Sequence, residues 1–68
     1  MCSEKARVIN EILEVHRRIS SIQVQKIEAL VAGDAIAEAP LHRELNEARE
    51  LRGILMDELK RHIETHRC

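Results

Sequence analysis

A chain of 68 residues without Phe, Trp or Tyr can form one small domain, and its core must consist of Ile, Leu, Val and Ala. The 11 basic and 12 acidic residues nearly cancel, which removes an overall electrostatic basis for binding nucleic acid or an anionic membrane. A domain this short buries only about 60% of its unfolded surface, so staples or association with another chain are expected to stabilise it.

The first element in chain order is a helix predicted over about residues 4–32, with Ser3 and Glu4 at its start. Its apolar residues recur at steps of three and four in two neighbouring stripes, as in a coiled coil or helix bundle. The seam stripe comprises Val8, Ile12, Val15, Ile19, Ile22, Lys26 and Ala29. The second stripe, one residue further along, comprises Ile9, Leu13, His16, Ser20, Gln23, Ile27 and Leu30.

The next feature is a break in the periodic pattern. Gly33 suits the position just after a helix, and Pro40 suits the first turn of the following one. Asp34 could cap the second helix earlier, but Pro40 would then lie inside it and clash. We therefore expect a loop over 33–39 and a second helix over about 40–66. The seam of that helix comprises Leu41, Leu45, Ala48, Arg52, Leu55, Leu59, His62 and His66.

Together these elements predict an all-α fold, an antiparallel two-helix hairpin that forms a single domain over residues 1–68. The two adjacent stripes make the apolar face of the first helix wider than one neighbouring helix covers. A second copy of the chain is the commonest way to cover such a face, which predicts a homodimeric four-helix bundle. A trimer, a larger bundle and a hairpin docked on a different protein are the alternatives.

Four polar residues interrupt these apolar stripes. With a loop centred near residue 36, Arg52 is expected level with Ser20 and Gln23, and His16 about one turn away. A hydrogen-bonded layer of this kind can set register and oligomeric state, with the Arg52 guanidinium reaching solvent. The alternative is a binding site for a small ligand or anion, with Arg52 supplying the charge.

A second group of polar residues is expected at the open end of the hairpin. Glu58, His62 and His66 are spaced i, i+4, i+8, so they share one helix face, and Cys2 and Cys68 should lie near them. Such residues could bind zinc or another divalent metal. The alternative is that the histidines are semi-exposed and favoured near the helix C-terminus. No other cofactor is expected.

The sequence favours a non-catalytic, homodimeric interaction or scaffold module, because no catalytic constellation is visible. A metal-binding or ligand-sensing bundle is the first alternative. An RNA-binding hairpin dimer similar in architecture to ROP is the second, carried by a basic strip of Arg17, Arg18 and Lys26. The missing aromatic residues argue against nucleic acid. Without a leader segment or a membrane-spanning apolar run, we expect a cytoplasmic protein.

Overall fold

The computed structural model describes residues 3–66, except for the side chain of His66. It contains two helices, α1 (Ser3–Ala32) and α2 (Ala35–His66), which pack against each other as an antiparallel hairpin. This confirms the predicted all-helical hairpin. The molecule measures 49 × 15 × 11 Å, so it is a rod only one helix thick in its shortest dimension. Within residues 3–66, neither helix is long and apolar enough to cross a membrane.

The turn between the helices is built by two residues, Gly33 and Asp34. Gly33 has a positive φ of 69°, and its N–H donates to the carbonyl of Leu30 at 3.1 Å. The N–H of Asp34 donates to the carbonyl of Ala29 at 2.9 Å, which completes a Schellman motif. Asp34 also begins α2, because its Oδ1 accepts a hydrogen bond from the N–H of Ala37 at 3.1 Å. One residue therefore satisfies backbone groups of both helices.

The expected loop over 33–39 is wrong, since α2 begins at Ala35 and contains Pro40 within it. The Asp34 cap stabilises the earlier start. Pro40 removes only the hydrogen bond that its N–H would have donated to the carbonyl of Ile36. Ile36 is 89% exposed, so water can satisfy that carbonyl. The cost of the proline is thus smaller near the exposed start of the helix than it would be in a buried interior.

We expect Gly33→Ala to destabilise the hairpin by about 1 kcal/mol, because alanine is strained at positive φ. Apart from Gly33 itself and its two chain neighbours, no residue has a heavy atom within 4 Å of a Cβ built at Gly33, so the effect comes from the local backbone alone. Gly53 is a matched control: its Cβ would also meet nothing within 4 Å, but it lies inside α2. Gly53→Ala should therefore stabilise the hairpin by up to about 1 kcal/mol. Urea unfolding measures both changes, and a Gly33→Ala protein as stable as the parent would contradict the assigned turn.

The core lies in the seam between the helices. The buried residues of α1 all belong to the seam stripe, and those of α2 to its predicted seam. They are Val8, Val15, Ile19, Ile22 and Ala29 of α1 with Leu45, Ala48 and Leu55 of α2. Among the described residues, no polar or charged side chain is buried. The hairpin is therefore stabilised by a single narrow line of aliphatic contacts.

The short turn sets the register of the two helices. Contacts join residues nearly equidistant from Gly33 and Asp34: the Lys26 Nζ donates to the His42 Nδ1 at 3.0 Å, and the Arg7 Nη2 lies 3.5 Å from the Glu58 Oε1. With the turn at Gly33 and Asp34, Arg52 of α2 lies beside Val15 and His16 of α1 along the hairpin axis. The expectation that Arg52 is level with Ser20–Gln23 is wrong, because it assumed a longer loop.

Candidate interaction surface

The second stripe of α1 is open to solvent. Leu13, Ile27 and Leu30 are 47%, 61% and 65% exposed, and only Ile9 is half-buried in this stripe. Helix α2 covers the seam stripe and leaves this neighbouring one uncovered. The hairpin thus presents an apolar line along one side of α1, interrupted in its middle by three exposed polar residues: His16, Ser20 and Gln23.

A groove of about 390 Å³ runs along the same side of the hairpin, near the turn. Ile27, Leu30 and Leu45 supply its apolar surface, while Lys26 and Arg49 supply cationic groups. Gln23 and Glu38 complete the lining. The groove is partly open to solvent. Because it lies between the second stripe and α2, side chains of a third helix could fill it.

The opposite side of the hairpin is mostly polar and has more acidic than basic residues, and we call it the acidic flank. On α1 it consists of Arg7, Glu11, Glu14, Arg18, Ser21, Gln25 and Glu28, and on α2 of Glu44, Glu47, Leu51, Ile54, Glu58 and Arg61. Arg7 lies 2.7 Å from Glu11 of its own helix and 3.5 Å from Glu58 of α2, so one ion pair joins the two helices here. Its apolar residues, Leu51 and Ile54, belong to α2 alone. Its six glutamates outnumber its three arginines, so a second copy docked on this flank would bring two surfaces with surplus negative charge together.

The predicted polar layer is not assembled within one hairpin. His16, Ser20 and Gln23 are exposed, and Arg52 is half-buried in the seam. Within residues 3–66, no hydrogen bond joins Arg52 to the other three. The three exposed residues are nevertheless consecutive members of the second stripe. Their hydrogen-bonding groups therefore remain available to a partner, and the layer stays a prediction.

The predicted metal site lies partly outside the described residues, since Cys2, Cys68 and the side chain of His66 are not among them. Glu58 and His62 line a shallow cleft of about 180 Å³ together with Arg61 and Thr65. Glu58 pairs with Arg7, and the His62 Nδ1 lies 3.9 Å from the Glu4 Oε2. In the described part of the chain, no three His, Cys, Asp or Glu residues are grouped to hold a metal. Metal binding at this end stays a prediction.

The basic residues that motivated the RNA alternative do not form one strip. Arg17 and Arg18 are adjacent in α1 and therefore point about 100° apart around its axis. Lys26 lies in the seam stripe, half-buried, where its ammonium group contacts His42. These three residues thus do not create a common surface for a phosphate backbone.

Further exposed apolar residues near the turn were missed by the sequence reasoning. Val31 and Ile36 are 84% and 89% exposed, and Val24 is 54% exposed. The signal was present in the spacing, because Val24, Ile27 and Val31 follow each other at i, i+3 and i+7. Val24 and Val31 widen the apolar surface of α1 beyond the second stripe, at the end of α1 near the turn.

Comparisons of the chain with protein-family models, curated proteins and solved structures give no match. The case for function therefore depends on the open second stripe and its neighbouring groove.

Proposed function

We propose that this chain is a non-catalytic interaction module that forms a homodimer, in which two hairpins pair through the second stripe as a four-helix bundle. The observation that carries the proposal is the uncovered apolar line of Leu13, Ile27 and Leu30 beside a groove. The open groove offers no enclosed, water-excluding volume of the kind that catalytic sites use.

The surface area of the hairpin supports a partner of similar size. The chain exposes 5217 Å², whereas a compact monomer of 7.8 kDa exposes only about 4,400 Å². The difference, about 800 Å², is close to what each partner buries in a standard protein–protein interface. The Cα radius of gyration of 15.5 Å compares with about 11 Å for a compact domain of this length. A second hairpin packed on the open side would thicken the rod and bury this excess.

The angle between the two stripes also supports a four-helix bundle. Residues one position apart are separated by about 100° around a helix axis. In a square bundle each helix has two neighbours about 90° apart. The seam stripe of α1 contacts α2, so the second stripe points toward where a further helix would lie. Within one hairpin, α1 has only one neighbouring helix, which is α2.

Light scattering tests the dimer directly. We expect a mass about twice 7.8 kDa at micromolar concentration, falling toward 7.8 kDa on dilution as the dimer dissociates. EDTA should leave the mass unchanged, because the proposed contact is apolar. A monomer at all accessible concentrations would overturn the proposal, and a dimer that EDTA dissociates would favour the metal-binding alternative.

A further inference from the structure

We propose, on the basis of the homodimer above, that the two copies pair through α1 in antiparallel orientation, with a twofold axis at Ser20 and their turns at opposite ends. This specifies both the contacting helix and its register. The order of residues along the second stripe, its lack of formal charge, and the polar residues that the competing arrangement would bury all support this register.

The second stripe reads the same in both directions. From its centre at Ser20, each half contains first a polar residue and then two apolar ones. An antiparallel copy centred on Ser20 places Leu13 beside the partner's Ile27 and Ile9 beside the partner's Leu30. His16 then meets the partner's Gln23, so the polar groups face each other. Apolar residues therefore meet apolar residues in both outer parts of the contact, and polar residues meet polar ones at its centre.

Charge supports the same contact. The second stripe contains no Lys, Arg, Asp or Glu, so a copy of it brings no like formal charges together. The acidic flank differs, because self-pairing there would bring together two surfaces on which glutamates outnumber arginines. On the same side of the hairpin, the α2 residues that lie about 100° from its seam include His42, Arg49 and Lys60. Only Met56 and Ile63 are apolar among them. The self-complementary surface is therefore that of α1.

The competing arrangement, with both turns at the same end, is less complementary. It places α1 of one copy against α2 of the other. Along the bundle axis, the same residues of α1 and α2 are then side by side as within one hairpin. At that level Lys26 is beside His42, and Leu30 lines a groove with Glu38. Ile27 would then face the partner's His42, and Leu30 the partner's Glu38. Burying those polar groups against aliphatic side chains costs free energy, whereas the contact between the two α1 helices in the proposed arrangement pairs aliphatic residues with each other.

Introduced cysteines test the register, in a background where Cys2 and Cys68 are replaced by serine. Ser20→Cys places a thiol at the proposed axis, and Ser21→Cys places one on the acidic flank. Both positions are exposed serines, so the two variants differ mainly in the side they face. Because a disulfide requires Cα atoms within about 7 Å, Ser20→Cys should form a covalent dimer at least about tenfold faster than Ser21→Cys under mild oxidation. Non-reducing electrophoresis measures the rates.

Mixed samples distinguish the two arrangements. Leu13→Cys mixed with Ile27→Cys should give predominantly the heterodisulfide if the register is correct. Predominant coupling of Ser20→Cys to Arg49→Cys would overturn it in favour of turns at the same end. Light scattering of the same samples separates the two proposals. A dimer in which Ser20→Cys reacts no faster than Ser21→Cys overturns the register alone, whereas a monomer overturns the register and the proposed function together.

Discussion

Ile27→Glu should convert the proposed dimer to a 7.8 kDa monomer, while Ile54→Glu should leave it dimeric. The two isoleucines are closely matched, being 61% and 63% exposed in the hairpin. They differ in location, because Ile27 lies in the second stripe and Ile54 in the acidic flank. In the proposed dimer Ile27 occurs twice in the interface, and each copy of the substitution should lose about 1.5–3 kcal/mol of apolar burial. The Kd for dimerisation should therefore weaken by about 100-fold or more.

Sedimentation equilibrium or light scattering over a dilution series measures this shift in Kd. Circular dichroism of both variants should show unchanged helical content, since neither isoleucine is part of the buried seam. If Ile54→Glu dissociated the dimer as strongly as Ile27→Glu, the second stripe would not be the interface. If Ile27→Glu alone left the Kd unchanged, the same conclusion would follow.

The hairpin could be predicted from the sequence because its periodic pattern is regular. Steps of three and four identify the seam stripe, and the buried residues of α1 all belong to it. The pattern also showed that α1 is apolar over a wider angle than one neighbour covers. That surplus appears in the structure as exposed Leu13, Ile27 and Leu30. Such features depend on local spacing alone, which a single sequence contains in full.

The turn could not be predicted to the residue, because two signals conflicted there. Asp34 favoured an early start of α2, and Pro40 favoured a late one. The structure resolves the conflict in favour of the cap, since the carbonyl that loses its bond belongs to exposed Ile36. The error then shifted the expected level of Arg52. A few residues in a turn thus displace every predicted contact across a hairpin.

The polar residues were the hardest part to place. His16, Ser20 and Gln23 belong to a stripe that α2 does not cover, so their surroundings depend on a partner that the sequence does not specify. The metal hypothesis has a similar difficulty, because its ligands would come from both ends of the chain. Glu58 is instead paired with Arg7, a contact that the spacing within α2 could not reveal.

Leu45→Ala should destabilise the hairpin more than the turn substitution Gly33→Ala does. Leu45 is 3% exposed and belongs to the core cluster with Ile19 and Ile22 of α1. Removing its buried isobutyl group leaves a cavity and costs about 2–5 kcal/mol. A core in a chain this short supplies only about 3–5 kcal/mol in total. At about 4–8 °C per kcal/mol, we therefore expect a thermal midpoint lower by about 8–40 °C, or loss of the folded state at 25 °C.

The same substitution at Leu51 provides the control, because Leu51 lies six residues later in α2 and is 42% exposed. Its truncation leaves a smaller cavity and should cost about 1 kcal/mol or less. Thermal unfolding followed by circular dichroism compares the two variants at equal concentration. Dimerisation adds a further test, since the midpoint of the Leu45→Ala protein should rise with protein concentration if folding and pairing are coupled. Equal thermal midpoints for the two variants would contradict a core confined to the seam. Leu45 in the seam would then contribute no more to stability than Leu51 in the acidic flank.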